Sequence, residues 1–164
     1  MPASDLTIRP ALPADADALA ALLQGIGWFG TYAQKPVEQS REAVRRLLEQ
    51  AQDDARSRLW VAEFAALGLC GYCAVHWLPV AVLQGWEGYV SELFVADAAR
   101  GQQVGARLLD TAVQAARARG CQRIWLVNNR ERPSYTRGFY TQQGWQEQPE
   151  MARFVLPLQP PTAA

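Results

Sequence analysis

The spacing of apolar residues changes period several times along the chain, and each change marks an element boundary. Leu6-Thr7-Ile8-Arg9-Pro10 reads as a first strand. Pro13 then opens a helix with Asp15 and Asp17 in its first turn and Leu19, Leu22, Leu23 and Ile26 along one face, a start that complements the helix dipole. Gly25, Gly27 and Gly30 interrupt this pattern and enclose Trp28, Phe29 and Tyr32 before Lys35-Pro36. Residues 37–54 return to helical spacing, with Ala43, Val44, Leu47, Leu48 and Ala51 on one side and a solvated charged face on the other. Residues 58–65 and 69–78 are two strands joined near Ala66-Leu67-Gly68, an antiparallel hairpin. Residues 79–88 read as a loop containing Trp86.

The stretch 89–109 changes period in its middle. Residues 89–95, which include Glu92, form a short apolar run suited to a strand buried on both faces. After Gly101, apolar residues recur at Val104, Leu108, Leu109, Ala112, Val113 and Ala116, and Gly120 stops the helix they define. Residues 123–128 are then a strand, which after a helical crossover lies parallel to the Glu92 strand. A polar loop over 129–133, a short helix with Tyr135, Phe139 and Tyr140, a stop at Gly144, a strand from Trp145 and a last strand over 153–158 follow. Residues 159–164 read as a frayed tail.

A chain of 164 residues favours one core over two, so a single domain is expected, with its core over about residues 6–158. Sixteen basic and sixteen acidic residues give no net field. That argues against nucleic acid or an anionic membrane as the main partner, and any phosphate site must be local. The first residues lack a signal pattern, and the most apolar window, 67–83, is broken by Gly68, Gly71, His76 and Pro79 and falls short of the ~20 residues of a spanning helix. A cytoplasmic protein is expected. Cys70, Cys73 and Cys121 make neither an even secreted set nor a zinc set, and with one histidine no metal site is expected.

The turn between the Glu92 strand and its helix carries candidate chemistry. A helix start leaves backbone N–H groups unpaired at the positive end of the dipole, where an anion can sit. Gly101 and Gly105 permit close backbone approach, and Arg100 adds charge. Neither Gly-x-Gly-x-x-Gly nor a Walker pattern is present, so the turn alone fits an anion site or a tight structural connection equally. Glu92 on an apolar strand loses solvation, which suits a base, or pairs with an arginine for structure. Trp28, Phe29, Tyr32 and Trp86 either line a pocket for an acceptor or fold onto the core.

Arg100-Gly101-Gln102-Gln103-Val104-Gly105-Ala106, following the strand that bears Glu92, resembles motif A (Arg/Gln-x-x-Gly-x-Gly/Ala) of the GCN5-related N-acetyltransferase superfamily. Gln103 stands where that family usually has its first glycine. Phe139-Tyr140-Thr141-Gln142-Gln143-Gly144-Trp145 is similar to the family's Phe-Tyr-x-x-x-Gly-Phe segment. The resemblance spans nearly the whole chain and implies an α/β (α+β) acetyltransferase fold, a mixed central sheet of about six to seven strands flanked by about four helices.

It further implies acetyl-CoA as donor, with CoA as product. Backbone groups of Phe94 and Val95 would pair with the pantetheine arm as an added strand does, and Arg100, Gly101 and the amides of Gln102, Gln103, Val104, Gly105 and Ala106 would hold the pyrophosphate. Glu92 would be the base and Tyr140 the acid near the coenzyme sulfur. The family often has an asparagine seven residues before its tyrosine, where this chain has Pro133. Asn128, Asn129 and Ser134 are the candidate replacements. Glu87, Tyr89 and Ser91 are weaker candidates for acceptor contacts, and His76 is a strand residue at the pocket edge.

The expected function is an acetyl-CoA-dependent N-acetyltransferase moving an acetyl group to the primary amine of a small molecule or peptide, by direct transfer in a ternary complex. The alternative is a non-catalytic acyl-CoA-binding or regulatory module of the same fold, motivated by Gln103 and Pro133. A third route, through an acetylated cysteine, is disfavoured because no cysteine has a neighbourhood that lowers its pKa. Dimers are common in the family, so the resemblance also admits a homodimer.

Overall fold

The computed structural model describes residues 5–27 and 35–158. The chain divides into two compact units, one ending at Val127 and the other beginning at Asn128. The first holds a five-stranded sheet in the order β1 (Leu6–Pro10), β2 (Ser57–Phe64), β3 (Gly68–Val80), β4 (Gly85–Val95) and β5 (Arg123–Leu126). Neighbours are antiparallel through β4, and β5 is parallel to β4. The crossover that this requires is α3 (Val104–Ala118), while α1 (Ala16–Ile26) and α2 (Val37–Asp53) precede β2.

Strand side chains alternate between the two faces. Tyr72 and Ala74 of β3 join the buried cluster built on Leu19, Leu22 and Leu23 of α1 and Val44 and Leu48 of α2. The alternate residue Gly71 faces α3: a Cβ placed there would lie 2.8 Å from Val104 Cγ1 and 2.9 Å from Leu108 Cδ1. The helix thus rests directly on β3 backbone. Its apolar face, Val104, Leu108, Leu109, Ala112 and Ala116, is buried as the spacing predicts. On α2 the stripe is narrower than expected, because Leu47 is 62% exposed.

The β3–β4 ladder has one irregularity that positions everything after it. Val75 pairs with Val90 and Ala74 with Glu92, so Ser91 is an extra residue, a β-bulge. The parallel ladder to β5 ends at the same place, with Val90 opposite Leu126. From Ser91 to Val95, β4 continues along β3 without a rung to β5.

Three expectations change. The loop expected over residues 79–88 shrinks to a turn at 81–84: the β3–β4 hairpin continues to Pro79 opposite Trp86 and Val80 opposite Gly85, so Trp86 is a strand residue. Pro79 is tolerated because it sits near the end of the ladder, where a missing N–H costs little. Residues 145–158 contain no strand, so the sheet has five strands among the described residues rather than six to seven. Met151, Phe154, Val155, Leu156 and Leu158 are all exposed there, and apolar content makes a strand only where a neighbour supplies a ladder. The helix expected around Tyr135 to Tyr140 is two single turns, α4 (Pro133–Thr136) and α5 (Phe139–Gln142). Gly138 divides them with a φ of 66°.

In the second unit, the Tyr140 ring meets the edges of Phe139 at 4.9 Å and Trp145 at 6.3 Å between centroids. Trp145 also donates its N–H to the Tyr140 carbonyl at 3.0 Å. Glu147 accepts from Arg130 Nη2 at 2.7 Å and from the Tyr135 hydroxyl at 2.9 Å.

The seat of α3 on Gly71 predicts a packing defect. Gly71→Ala must displace two side chains, of Val104 and Leu108, that are themselves fully buried, and should lower unfolding stability by about 1–3 kcal/mol in urea titration. An unchanged midpoint would show that the helix does not rest where described.

Candidate functional site

Glu92 stands just past the bulge, opposite Ala74, on the face that carries Tyr72 and Phe94. Burial raises its carboxyl above the usual carboxylate range, while a hydrogen bond from Tyr72 and the charge of His76 draw it partly back. Among the described residues Glu92 forms no ion pair, so the structural alternative raised for it, pairing with an arginine, belongs instead to Glu87. Glu87 is 6% exposed and accepts from Arg123 Nε at 2.6 Å. Both glutamates of this strand are withdrawn from solvent, and they differ in pairing: Glu87 is matched by a cation and Glu92 is not.

Around Glu92 the sheet collects groups the sequence ranked lower. His76 Nε2 lies 2.9 Å from Ser91 Oγ. Tyr89, opposite His76, stacks on Trp125 of β5 at 4.3 Å between ring centroids. Tyr72 was not singled out at all. Its spacing from His76 on one strand face was readable, but not that this face is also Glu92's, which depends on register and on the bulge.

Trp86 lies on the opposite face, where the Arg119 guanidinium is 4.8 Å from its ring and 5.7 Å from that of Trp77. This cation–π stack at the end of α3 explains Trp86 structurally and separates it from the Glu92 face. Trp28, Phe29 and Tyr32 lie outside the described residues.

Beyond Val95, a turn of 3-10 helix (Asp97–Ala99) leads to Arg100, Gly101 and the start of α3. Gln103 is the N-cap residue, makes no side-chain capping bond, and is followed by a first turn without an acidic residue. The first intrahelical bond recorded there is Arg107 N–H to Gln103 O at 3.0 Å, so the N–H groups of Val104, Gly105 and Ala106 head the helix. Three side chains around them are engaged with the protein: Arg100 pairs with Asp97 at 2.7 Å, Gln102 bonds the Ala98 carbonyl, and Val104 is buried. Any role of this turn in holding an anion rests on backbone groups and the helix dipole.

The Gln103 departure has a physical reading. Its φ is 62°, the left-handed region that glycine enters freely. Glutamine takes up the glycine backbone shape at a cost of about 1–2 kcal/mol.

In the second unit, Ser134 Oγ donates to Asn128 Oδ1 at 3.1 Å, and Asn128 Nδ2 is buried with no partner among the described residues. Asn129 is used differently, since its side chain caps the Glu131 N–H at 2.9 Å. Pro133 occupies the first position of α4, where a missing N–H is harmless. Of the three candidate replacements for the family asparagine, Asn128 is the one with a donor to spare.

Burial raises all three thiols, Cys73 to about 12, and Glu92 adds to that shift. None is set up as a thiolate nucleophile.

A family model described as Acetyltransferase (GNAT) family matches residues 26–145. This chain belongs to the GNAT family. Its fold is similar to solved structures over nearly their whole length. A transcriptional regulator from Bacillus halodurans C-125 is 26% identical with a TM-score of 0.79, covering 92% of this chain and 99% of its own. A ribosomal-protein-alanine N-acetyltransferase from Brucella melitensis biovar Abortus 2308 is 22% identical with a TM-score of 0.70, over 94% and 99%. An aminoglycoside acetyltransferase from an uncultured soil metagenomic sample, in complex with sisomicin, is 16% identical with a TM-score of 0.71, over 95% and 98%. No curated protein matches the chain. As a GNAT protein it is an acetyltransferase in class. No helix among the described residues is long and apolar enough to cross a membrane.

The left-handed backbone at Gln103 can be tested in a GNAT turn that departs from the usual glycine. Gln103→Val, β-branched at positive φ, should lower unfolding stability by about 1 kcal/mol or more, whereas Gln103→Gly should hold or raise it. Equal stability of the two variants in urea titration would count against that conformation.

Proposed function

We propose that this GNAT chain is an acetyl-CoA-dependent N-acetyltransferase that moves the acetyl group to the primary amine of a small molecule or peptide, directly, in a ternary complex. The observation that carries this reading is Glu92: a desolvated carboxyl, held by Tyr72, at the point where β5 leaves β4. An amine arrives protonated at neutral pH and cannot attack until it loses that proton. A carboxyl raised above its usual range is a better proton acceptor than an exposed one, and Tyr72 fixes the direction in which it accepts.

The chain's polar groups fit an acyl-CoA. The uncapped start of α3 offers backbone donors and a positive dipole end to phosphates. The stretch of β4 past the last β5 rung suits an amide-bearing arm added as a strand. Within the second unit, Asn128 Nδ2 is a buried donor without a partner among the described residues, suited to the carbonyl of an amide-bearing ligand. When bound, acetyl-CoA supplies an acyl carbon activated by a thiolate leaving group. Tyr140 is assigned the proton for that leaving sulfur, on the strength of the Phe-Tyr-x-x-x-Gly-Trp segment.

A 26% identical structure is described as a transcriptional regulator, which motivates a second reading, an acyl-CoA-binding module without chemistry. Calorimetry separates the two, because that module binds CoA tightly and consumes no thioester.

Since Glu92 must be ionised to take a proton, kcat/KM should fall as pH drops through its raised pKa, on a limb above the ordinary value of 4.5. Glu92→Gln should remove that limb and slow transfer by about 10²–10⁴-fold. It should also raise the unfolding temperature near neutral pH. The folded carboxyl binds its proton more tightly than the unfolded one, so stability is lost as pH rises from the ordinary value through the raised one, and glutamine avoids that loss. Tyr140→Phe should lower kcat. Parent-like kinetics in both variants would end the catalytic assignment.

A further inference from the structure

The bulge residue Ser91 makes a side-chain contact that direct transfer leaves unused. Its Oγ lies 2.9 Å from His76 Nε2 and 3.5 Å from the Ala74 carbonyl oxygen, and both side chains are partly buried. With the imidazole proton on Nδ1, Nε2 accepts the Ser91 hydroxyl hydrogen, the pairing of nucleophile and base that turns a hydroxyl into an acyl acceptor. His76 is the single histidine of the chain, and among the described residues no other hydroxyl is recorded with it as a partner. The three thiols, raised by burial, do not compete.

Position makes the pair relevant to the acyl group. The β4–β5 ladder ends at Val90 and Leu126, and Ser91 is the next residue, at the mouth of the fork. If phosphates lie at the start of α3 beyond Val95, an arm running back along β4 from Val95 to Ser91 covers roughly 13 Å of strand. That distance brings a thioester at its far end to Ser91 and Glu92.

We infer that Ser91 is an acyl-accepting nucleophile served by His76, so that without an amine the chain transfers the donor's acyl group to Ser91 and then to water. This rests on the reading of the site as an acyl-CoA site. In the first step the Ser91 Oγ–carbonyl carbon bond forms, the Oγ proton passes to His76 Nε2, and the carbon–sulfur bond breaks. The thiolate leaves as CoA and takes up that proton. In the second step water adds to the serine ester as His76 Nε2 accepts one of its protons, the Ser91 Oγ–carbonyl bond breaks as His76 returns that proton to Oγ, and acetic acid departs and ionises to acetate by releasing its proton to solvent. No oxidant or second reactant besides water is required. An amine that enters first intercepts the acyl group, so the side reaction is fastest when the acceptor is absent.

The full chain is incubated with acetyl-CoA and no amine, and three quantities are followed: CoA binding by calorimetry, free thiol release, and the intact mass of acid-quenched samples with peptide mapping. Thiol release above the uncatalysed rate is expected, together with one acetyl group on the peptide holding Ser91. Ser91→Ala should abolish the adduct, and His76→Gln should slow its formation by about 10²-fold or more. Circular dichroism and CoA binding of each variant report whether it is folded. If the parent binds CoA and transfers acetyl to amines but shows neither adduct nor amine-free thiol release, the Ser91 inference alone is overturned. An adduct that persists in Ser91→Ala also overturns it. Slower amine transfer in the variants with no adduct in the parent assigns the pair to proton relay instead, and again overturns it. Failure of the parent to bind CoA removes both the inference and the site reading beneath it.

Discussion

One extra residue in β4 decides which face of the sheet Glu92 occupies. Val90 lies on the α3 face of the sheet, opposite Val75, and strict alternation would return Glu92 to that same face. The bulge at Ser91 shifts the parity, so that Glu92 stands opposite Ala74 and beside Tyr72. It also coincides with the last rung to β5. A base candidate and an open strand edge are therefore consequences of the same local insertion. Remove that residue and Glu92 would press into the packed α3 face, where Cys73 and Val75 are fully buried.

The second constraint is the contact of α3 with backbone rather than side chains of β3. With hydrogen at position 71, Val104 and Leu108 settle against the sheet, which fixes where the helix begins. The chain must then turn sharply between Val95 and Val104, and it does so with positive φ at Gly101 and Gln103. A turn under tertiary compulsion of this kind tolerates a side chain that local preference disfavours, because burial of the helix face outweighs a cost of about 1–2 kcal/mol. The result is a helix start whose backbone donors lead the element while the side chains of Arg100, Gln102 and Val104 are engaged with the protein.

Charge placement on β4 follows from the same sheet. Glu87 and Glu92 are chemically identical and close in sequence. Arg123, on the opposing rung of β5, reaches Glu87 and leaves it a paired structural anion. Glu92 lies past the end of β5, where no such rung exists, and keeps a desolvated carboxyl. Which glutamate is left without a cation is thus decided by where one ladder stops.

Much of this was legible from residue order. Helical spacing in α1 and α3, the change of period at the end of β4, and a strand after Gly120 parallel to the Glu92 strand are local or topological consequences of apolar pattern and chain connectivity, which is why they could be read directly. The motif residues also carried the family, because a turn held by backbone groups needs only a few residue types at fixed spacing. Tertiary structure alone decided the rest. Trp86 became a strand residue under Arg119, the segment after Trp145 formed no strand, and Tyr72, His76 and Ser91 joined Glu92. Each depends on which strand lies alongside and in what register, and a one-residue bulge reverses every side chain beyond it. No periodicity within a single segment records that shift, since it exists only in the pairing of two.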